Sequence, residues 1–439
     1  MSVCRRVSNR QNTNNLMKKT IVTLSSSDLE TICNVYDEIR FDFSPNEVSP
    51  VLLGISGNQL RSFNVKGETK WFQVNYSELR RVIGNLLHNH AIGSKWSVDS
   101  LVGKLVDCLA ANRVSGKVDV KPLVNQFFKD ISETSPIVYE ICMPIHGVSI
   151  EKGKSLNVGK YSFAHIDYIL NRKFTQILGL DSNVESGKIF NADCFVCMTV
   201  SACEAAKAQE LALKEFKWIE NAIRFSLPGK MYGVGITRYD SRWIERMVVA
   251  VKGDTIAGLS SSVKGPIAKI KIEELLRSPV FMHMIEVLGR PDAQLNEIQK
   301  RLRRAVYLCG LSTQTIDLPV SFFLCISALE ALFCKQENHY VNPSIAQQII
   351  ESFCFLLVEE DKRCQCFESM QKWYGIRSAV AHGSDKQVSE NDVIRARTYL
   401  MTAVAMFLMD GKLSNLKTMD ELRALVNDIK FGNSKGKGK

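Results

Sequence analysis

Residues 321–333 read SFFLCISALEALF, apolar on almost every side. A helix that is apolar all round is buried all round, so this stretch predicts the central helix of a helical bundle. Asp317 and Pro319 mark its start, a capping side chain followed by a proline in the first turn. Working outward, Leu295, Ile298, Leu302, Ala305 and Cys309 form a stripe at helical spacing, with Glu297, Lys300, Arg301, Arg303 and Arg304 mostly outside it. Downstream, Asn342-Pro343 opens a helix carrying Ile345, Ile349, Phe353 and Leu356. A further helix runs from about Asp361 to Tyr374, and Ser389-Glu390-Asn391-Asp392 caps a long last one through Val393, Leu400, Val404 and Phe407. Residues 286–430 are therefore expected to be all-α. The Gly/Lys/Ser tail, 431–439, is expected to be disordered.

Before that bundle the period changes. From Pro136, Ile137, Tyr139, Ile141, Ile145, Val148 and Ile150 read as β structure, turning at Glu151-Lys152-Gly153-Lys154 and returning through Leu156, Val158 and Tyr161. Cys194 to Ser201 (CFVCMTVS) is a continuous strand-length run, followed by a helical stretch from Glu204 to Phe225. Met231 to Thr237 and Arg246 to Lys252 are two more expected strands. Residues 136–285 thus read as an α+β domain. Residues 1–135 read as mostly helical, with Ser27 as a cap, a Leu79/Val82/Leu86/Leu87 stripe, an entry at Ser97/Asp99 and a third stripe at Val120, Leu123, Phe127 and Phe128. A looser Gly/Ser/Asn/Pro stretch lies around 45–67. The fold class expected for the whole is α+β, predominantly α-helical.

Composition narrows the function classes. The chain has 439 residues, 45% hydrophobic and 23% charged, with 56 Lys+Arg against 46 Asp+Glu, a formal charge of +10. That is a globular profile with a mild preference for polyanionic partners, nucleic acid before membrane. The longest apolar run, Tyr399 to Met409, is too short for a bilayer, which needs about 20 residues. The polar opening MSVCRRVSNRQNTNN lacks a secretory apolar stretch, and Met17 is an alternative start. Thirteen cysteines, an odd number, some inside apolar runs (Cys309, Cys325, Cys354), read as reduced thiols of a cytoplasmic protein. Cys194-Phe-Val-Cys197, His88-Asn-His90 and Cys364-Gln-Cys366 lack the partners a metal or redox site requires, so no metal and no cofactor is expected. Walker, GxGxxG, HExxH and GxSxG motifs are absent from the sequence.

The sharpest chemical feature is residues 373–383, WYGIRSAVAHG. Arg377 is a fixed cation and His382 carries an imidazole, a group that titrates near neutrality. Five positions apart on one helix, they diverge by about 140° at about 100° per residue. Converging on one ligand requires a helix end or a distortion, and Gly375 and Gly383 flank the pair. From spacing alone, a structural reading stays open in which Arg377 pairs with a carboxylate and His382 caps a helix end. Three blocks in order resemble the HEPN superfamily, and within it the ApeA-like branch: Arg301-Leu302-Arg303-Arg304-Ala305, Ser327-Ala328-Leu329-Glu330-Ala331-Leu332-Phe333, and Tyr374-Gly375-Ile376-Arg377-Ser378 through His382-Gly383. The resemblance covers about 290 to 425, and residues 137–160 look more loosely like the region that often precedes this domain.

The resemblance implies metal-independent endoribonuclease activity in a defence or toxin setting, with a homodimer bringing two motifs to one cleft. It places Arg377 and His382 on the Arg-x4-6-His motif and Glu330 on the acidic position of the second block. Ser378 stands where many catalytic members carry Asn, Asp or His, and is the usual choice in the ApeA-like branch. The chemistry agrees with the residue types. RNA carries its own nucleophile, the 2′-hydroxyl. An unperturbed imidazole, titrating near 6.5, suits its deprotonation, and a guanidinium suits the charge that builds on phosphorane oxygens. Glu330, within an apolar helix, would be costly to bury alone. Pairing with Arg377 would satisfy it, whether the pair orients the guanidinium or is purely structural. Tyr374 and Ser378 are candidate hydrogen-bonding groups for phosphate or ribose, or else a core tyrosine and a capping serine. Arg301, Arg303 and Arg304 are candidates for tracking an RNA backbone, or else a solvated helical face. The first 285 residues are expected to regulate the site, sensing a phage-derived or nucleotide trigger. The alternative is a non-catalytic HEPN module that binds nucleotide or RNA or serves assembly.

Overall fold

A computed structural model describes residues 24–41, 58–65, 68–116, 119–169, 193–227, 244–252, 255–263, 270–315, 317–334, 345–383 and 387–432. Within it the chain divides into two compact units, Met1–Tyr139 with Val200–Leu211, and Glu140–Thr199 with Ala212–Lys439. The first unit leaves off at Tyr139 and takes in Val200–Leu211 further along the chain. The stretches expected to separate near 285 belong together in the second unit.

The first unit starts with α1 (Ser26–Glu38), capped by Ser25, whose hydroxyl accepts from Asp28 N at 3.1 Å. The cap is Ser25 rather than Ser27, because the helix starts at Ser26 and the Ser25 hydroxyl satisfies the free amide of Asp28 three residues on. Strand β1 (Arg40–Phe41) follows, then β2 (Asn58–Val65) and β3 (Glu68–Asn75), an antiparallel sheet in the order β1-β3-β2. Of the stretch around 45–67, expected to be loop with short extended pieces, the described residues Asn58–Val65 are an extended strand, paired Asn58 to Asn75 through Val65 to Glu68. Three helices complete the unit: α2 (Tyr76–Asn89), α3 (Val98–Val114) and α4 (Val120–Glu133). Their stripes meet in one core that includes Ile32, Leu79, Val82, Leu101, Leu105 and Phe128. Ser97 caps α3 as expected, and Glu204 Oε1 accepts from both Ser97 N (2.7 Å) and Ser97 Oγ (2.6 Å).

The second unit carries most of a four-stranded sheet in the order β4 (Ile137–Ile145), β8 (Cys194–Ala202), β7 (Tyr161–His165), β6 (Ser155–Val158). The tight hairpin joins β6 to β7 across Gly159-Lys160, with Val158 opposite Tyr161. The turn expected at Glu151–Lys154 is present, with Lys154 N donating to Glu151 O (3.0 Å), and the single returning strand expected after it is two strands, with Leu156 and Val158 on β6 and Tyr161 on β7. Gly159, at φ 57°, supplies the left-handed residue that a two-residue loop needs. Short β5 (Val148–Ser149) pairs in parallel with β11 (Ile270–Lys271), and β9 (Ile244–Lys252) forms an antiparallel hairpin with β10 (Thr255–Val263). The strand expected at 231–237 lies outside the described residues.

Helix α5 (Ala205–Phe225) follows β8, and α6 (Ile272–Leu276) and α7 (Pro279–Leu288) lead into the bundle. Its members are α8 (Glu297–Ser312), α9 (Leu318–Phe333), α10 (Ile345–Leu357), α11 (Arg363–Ala381), α12 (Glu390–Met409) and α13 (Met419–Lys430). Helix α9 packs against α8, α10, α11 and α12, the central position its composition requires. Phe322, Cys325, Ile326, Leu329, Leu332 and Phe333 are buried on it. The stripe on α8 is buried from Ile298 to Cys309. At Gly310 a Cβ would lie 2.1 Å from the carbonyl oxygen of Asn221, so α8 and α5 cross with backbone against backbone. The cap expected at Asn342 and the tail at 433–439 lie outside the described residues. No helix among the described residues is long and apolar enough to cross a membrane.

Candidate active site

Helix α11 runs unbroken from Arg363 to Ala381. The sequence reading ended it near Tyr374, but Gly375 sits inside it on the exposed side, where a glycine costs only about 1 kcal/mol. The end comes at His382, the C-cap, whose N–H donates to Ser378 O (3.1 Å). Gly383 follows at φ 73° and donates to Val380 O (3.1 Å), the left-handed closure that favours glycine. Of the two conditions for convergence of Arg377 and His382, the backbone provides a helix end and no distortion.

Arg377 faces α9. Its Nη2 donates to Glu330 Oε2 (3.2 Å), and its Nε lies 3.0 Å from Glu330 Oε1 without hydrogen-bond alignment. The guanidinium also lies over the Phe323 ring, 5.1 Å from its centroid, a cation–π contact. Both ion-pair members keep some exposure, 30% for Arg377 and 20% for Glu330. The pair is thus held and reachable. Phe323 was not singled out from the sequence, yet it precedes Glu330 by two helical turns and so shares its face.

Tyr374, one turn before Arg377, has its hydroxyl buried with no hydrogen-bond partner among the described residues. Burial, with Glu330 beside it, pushes its phenol above the usual range, so the group remains a proton donor. Ser378 and His382 are exposed. Arg377 and Glu330 are therefore brought together, Tyr374 lies on the same side, and His382 stands at the solvent-facing end of the same helix.

The three arginines of α8 divide. Arg301 Nη1 donates to the carbonyls of Ala331 (3.0 Å) and Cys334, and its Nε approaches Glu297 (3.3 Å). It closes the C-terminal end of α9, the helix that carries Glu330. Burial pushes the neighbouring Cys334 thiol up to about 12. Arg303 is 11% exposed and held by Glu215 (2.7 Å), Asp292 (3.0 Å) and the Arg290 carbonyl (3.1 Å). The solvated-face reading therefore fits Arg304 alone, which is exposed with its guanidinium 5.7 Å from the Tyr307 ring centroid. The described cysteines are all free, and no metal-ligating cluster occurs among the described residues. No family model, curated protein or solved structure matches the chain.

Proposed function

We propose that this chain is a metal-independent endoribonuclease of the HEPN type, acting in antiviral defence or as a toxin. The observation that carries the reading is the Arg377–Glu330 pair. It joins two of the three blocks on which the HEPN resemblance rests, fixing a guanidinium that still reaches solvent near the helix end bearing His382.

In the reaction, His382 takes the proton from a ribose 2′-hydroxyl. The freed oxygen attacks the adjacent phosphorus, and the bond from phosphorus to the 5′-oxygen breaks. The leaving oxygen recovers a proton, giving a 2′,3′-cyclic phosphate and a 5′-hydroxyl. Arg377 stabilises the oxygens of the pentacoordinate phosphorus, and Glu330 holds the guanidinium in aim. Tyr374 and Ser378 offer hydroxyls to phosphate or ribose. Because Arg377 and His382 point about 140° apart along one helix, a homodimer completes the site, with each copy's imidazole serving a shared cleft. The reading includes a cytoplasmic location and control by the first 285 residues in response to a phage-derived or nucleotide trigger.

The test is cutting of RNA by the purified full chain in excess chelator, with Arg377→Ala and His382→Ala in parallel. The expected result is cyclic-phosphate ends from the parent and none from either variant. Equal cutting by all three chains would defeat the assignment of the site, and loss of cutting in chelator would defeat the metal-free mechanism. A second reading, a non-catalytic RNA- or nucleotide-binding module, is favoured by one observation: ion pairing and helix capping already give Arg377 and His382 structural roles. Binding without product ends would favour it.

A further inference from the structure

Away from Arg377, helices α5 and α8 enclose a cleft of about 390 Å³. Helix α5 contributes Lys214, Lys217 and Trp218, at i, i+3 and i+4. Helix α8 contributes Lys300, Arg303, Arg304 and Tyr307, at i, i+3, i+4 and i+7. Each set shares a helical face, so two basic rows confront each other across the cleft.

The floor and the rim differ in charge. In the floor, Arg303 lies over the Trp218 ring at 5.1 Å while its nitrogens are held by Glu215 and Asp292. Glu215 also accepts from Lys160 (2.9 Å) and from the Tyr161 hydroxyl (2.9 Å), so the floor is rigid and close to neutral. On the rim, Lys214, Lys217, Lys300 and Arg304 are exposed cations, and Asp292 is the single carboxylate of the lining. Asp292 is already engaged by Arg303 and approached by Lys214 at 3.9 Å. The positive excess therefore lacks a partner of opposite sign within the cleft, while half-buried Tyr307 and the Arg304 guanidinium above it present flat surfaces. Cations on both walls with a flat aromatic–guanidinium step match a ligand of regularly spaced phosphates bearing planar bases.

We propose that this cleft binds the sugar–phosphate backbone of single-stranded RNA at a site separate from Arg377 and His382. As the substrate grip of the proposed nuclease, it rests on that reading, but its test reads binding and not cutting. Lys214, Lys217, Lys300 and Arg304 contact phosphates, and a base stacks at Tyr307. Arg303 is a positioning residue that fixes the floor.

The experiment uses the full chain carrying His382→Ala and a labelled single-stranded RNA of about 12 nucleotides, followed by fluorescence anisotropy across a salt series. The double reversal Lys217→Glu/Lys300→Glu is expected to weaken binding at least tenfold. It should also flatten the dependence of log Kd on log salt by about 0.7 for each phosphate that the protein no longer neutralises. Lys412→Glu, an exposed reversal elsewhere, is expected to bind as the parent does. Unchanged thermal midpoints show that the variants fold. Tyr307→Ala, with the charges intact, is expected to weaken binding while keeping the salt slope. Equal affinity of the double variant and its parent overturns the proposal, as does failure of the parent to bind RNA. Complete displacement of RNA by poly-glutamate or by free ATP also overturns it, reassigning the cleft to an acidic protein or a mononucleotide. A parent that binds RNA here, from a wild-type chain that cuts none, would sink the nuclease reading and leave the cleft standing.

Discussion

At the scale of single residues, the Glu330–Arg377 pair separates an orienting role from a structural one. Glu330→Gln keeps the side chain's size and removes its charge, leaving a half-buried guanidinium short of its counter-ion. We expect a loss of about 1–3 kcal/mol in thermal unfolding and a fall in RNA cutting of at least tenfold, with Glu330→Asp recovering part of the cutting. Cutting that survives Glu330→Gln unchanged would make the pair purely structural. Tyr374→Phe removes a buried hydroxyl that has no partner among the described residues. Stability should stay the same or rise slightly, since an unsatisfied buried polar group is itself a cost. A fall in cutting at unchanged stability would mark that hydroxyl as a ligand to substrate. The pairing of Glu330 with Arg377 was readable from sequence, because an acid inside SFFLCISALEALF is costly to bury without a cation and WYGIRSAVAHG offers one among small residues. The placement of Arg301 and Arg303 was not readable. Their acceptors at Cys334 and Glu215 lie 33 and 88 residues away, and helical spacing says nothing about such partners.

At the scale of elements, the crossing of α8 over α5 depends on the missing side chain at Gly310. Gly310→Ala would set a methyl carbon 2.1 Å from Asn221 O and 2.7 Å from Asn221 Cα, both parts of a helix backbone that cannot yield locally. Overpacking of this kind costs about 1–3 kcal/mol. Thermal unfolding should show that loss, whereas alanine at Gly84, with nothing within 4 Å, should be neutral or stabilising. Helices with an apolar stripe and a capping side chain were legible: Ser97, Asp317 and Ser389 all cap where the pattern put them. Helix α13 was not anticipated, although Thr418 and Glu421 spell a capping box that the structure closes in both directions. The helix break at Gly375 failed for the opposite reason. A lone glycine is a weak breaker when the residues around it, Trp373 and Ile376, are anchored in a core.

At the scale of the whole molecule, Glu215 is a hub for the second unit. Burial disfavours its charge, but Lys160 and Arg303 outweigh that and hold its carboxyl below the usual range. Burial in turn lowers the Lys160 ammonium. A depressed carboxyl contributes stability that is present above the unfolded-state value and is lost as pH falls through the folded one. The wild type should therefore lose stability steeply below the ordinary carboxylate range. Glu215→Gln, destabilised by roughly 3 kcal/mol at neutral pH, should converge on the wild type as the pH falls, measured by denaturant unfolding at each pH. A gap that stays constant from neutral to acid would remove Glu215 from that role. The mixed α+β character was legible from the change of period at Pro136, but the two-unit division was not, because Val200–Leu211 rejoins residues far behind it. That return has a practical consequence. A scissor placed at residue 139 frees a piece without Glu204, and Ser97 loses the acceptor for its amide and its hydroxyl. Neither half can be lifted out as one continuous gene segment, so shuffling by simple end-to-end fusion would transplant a broken part.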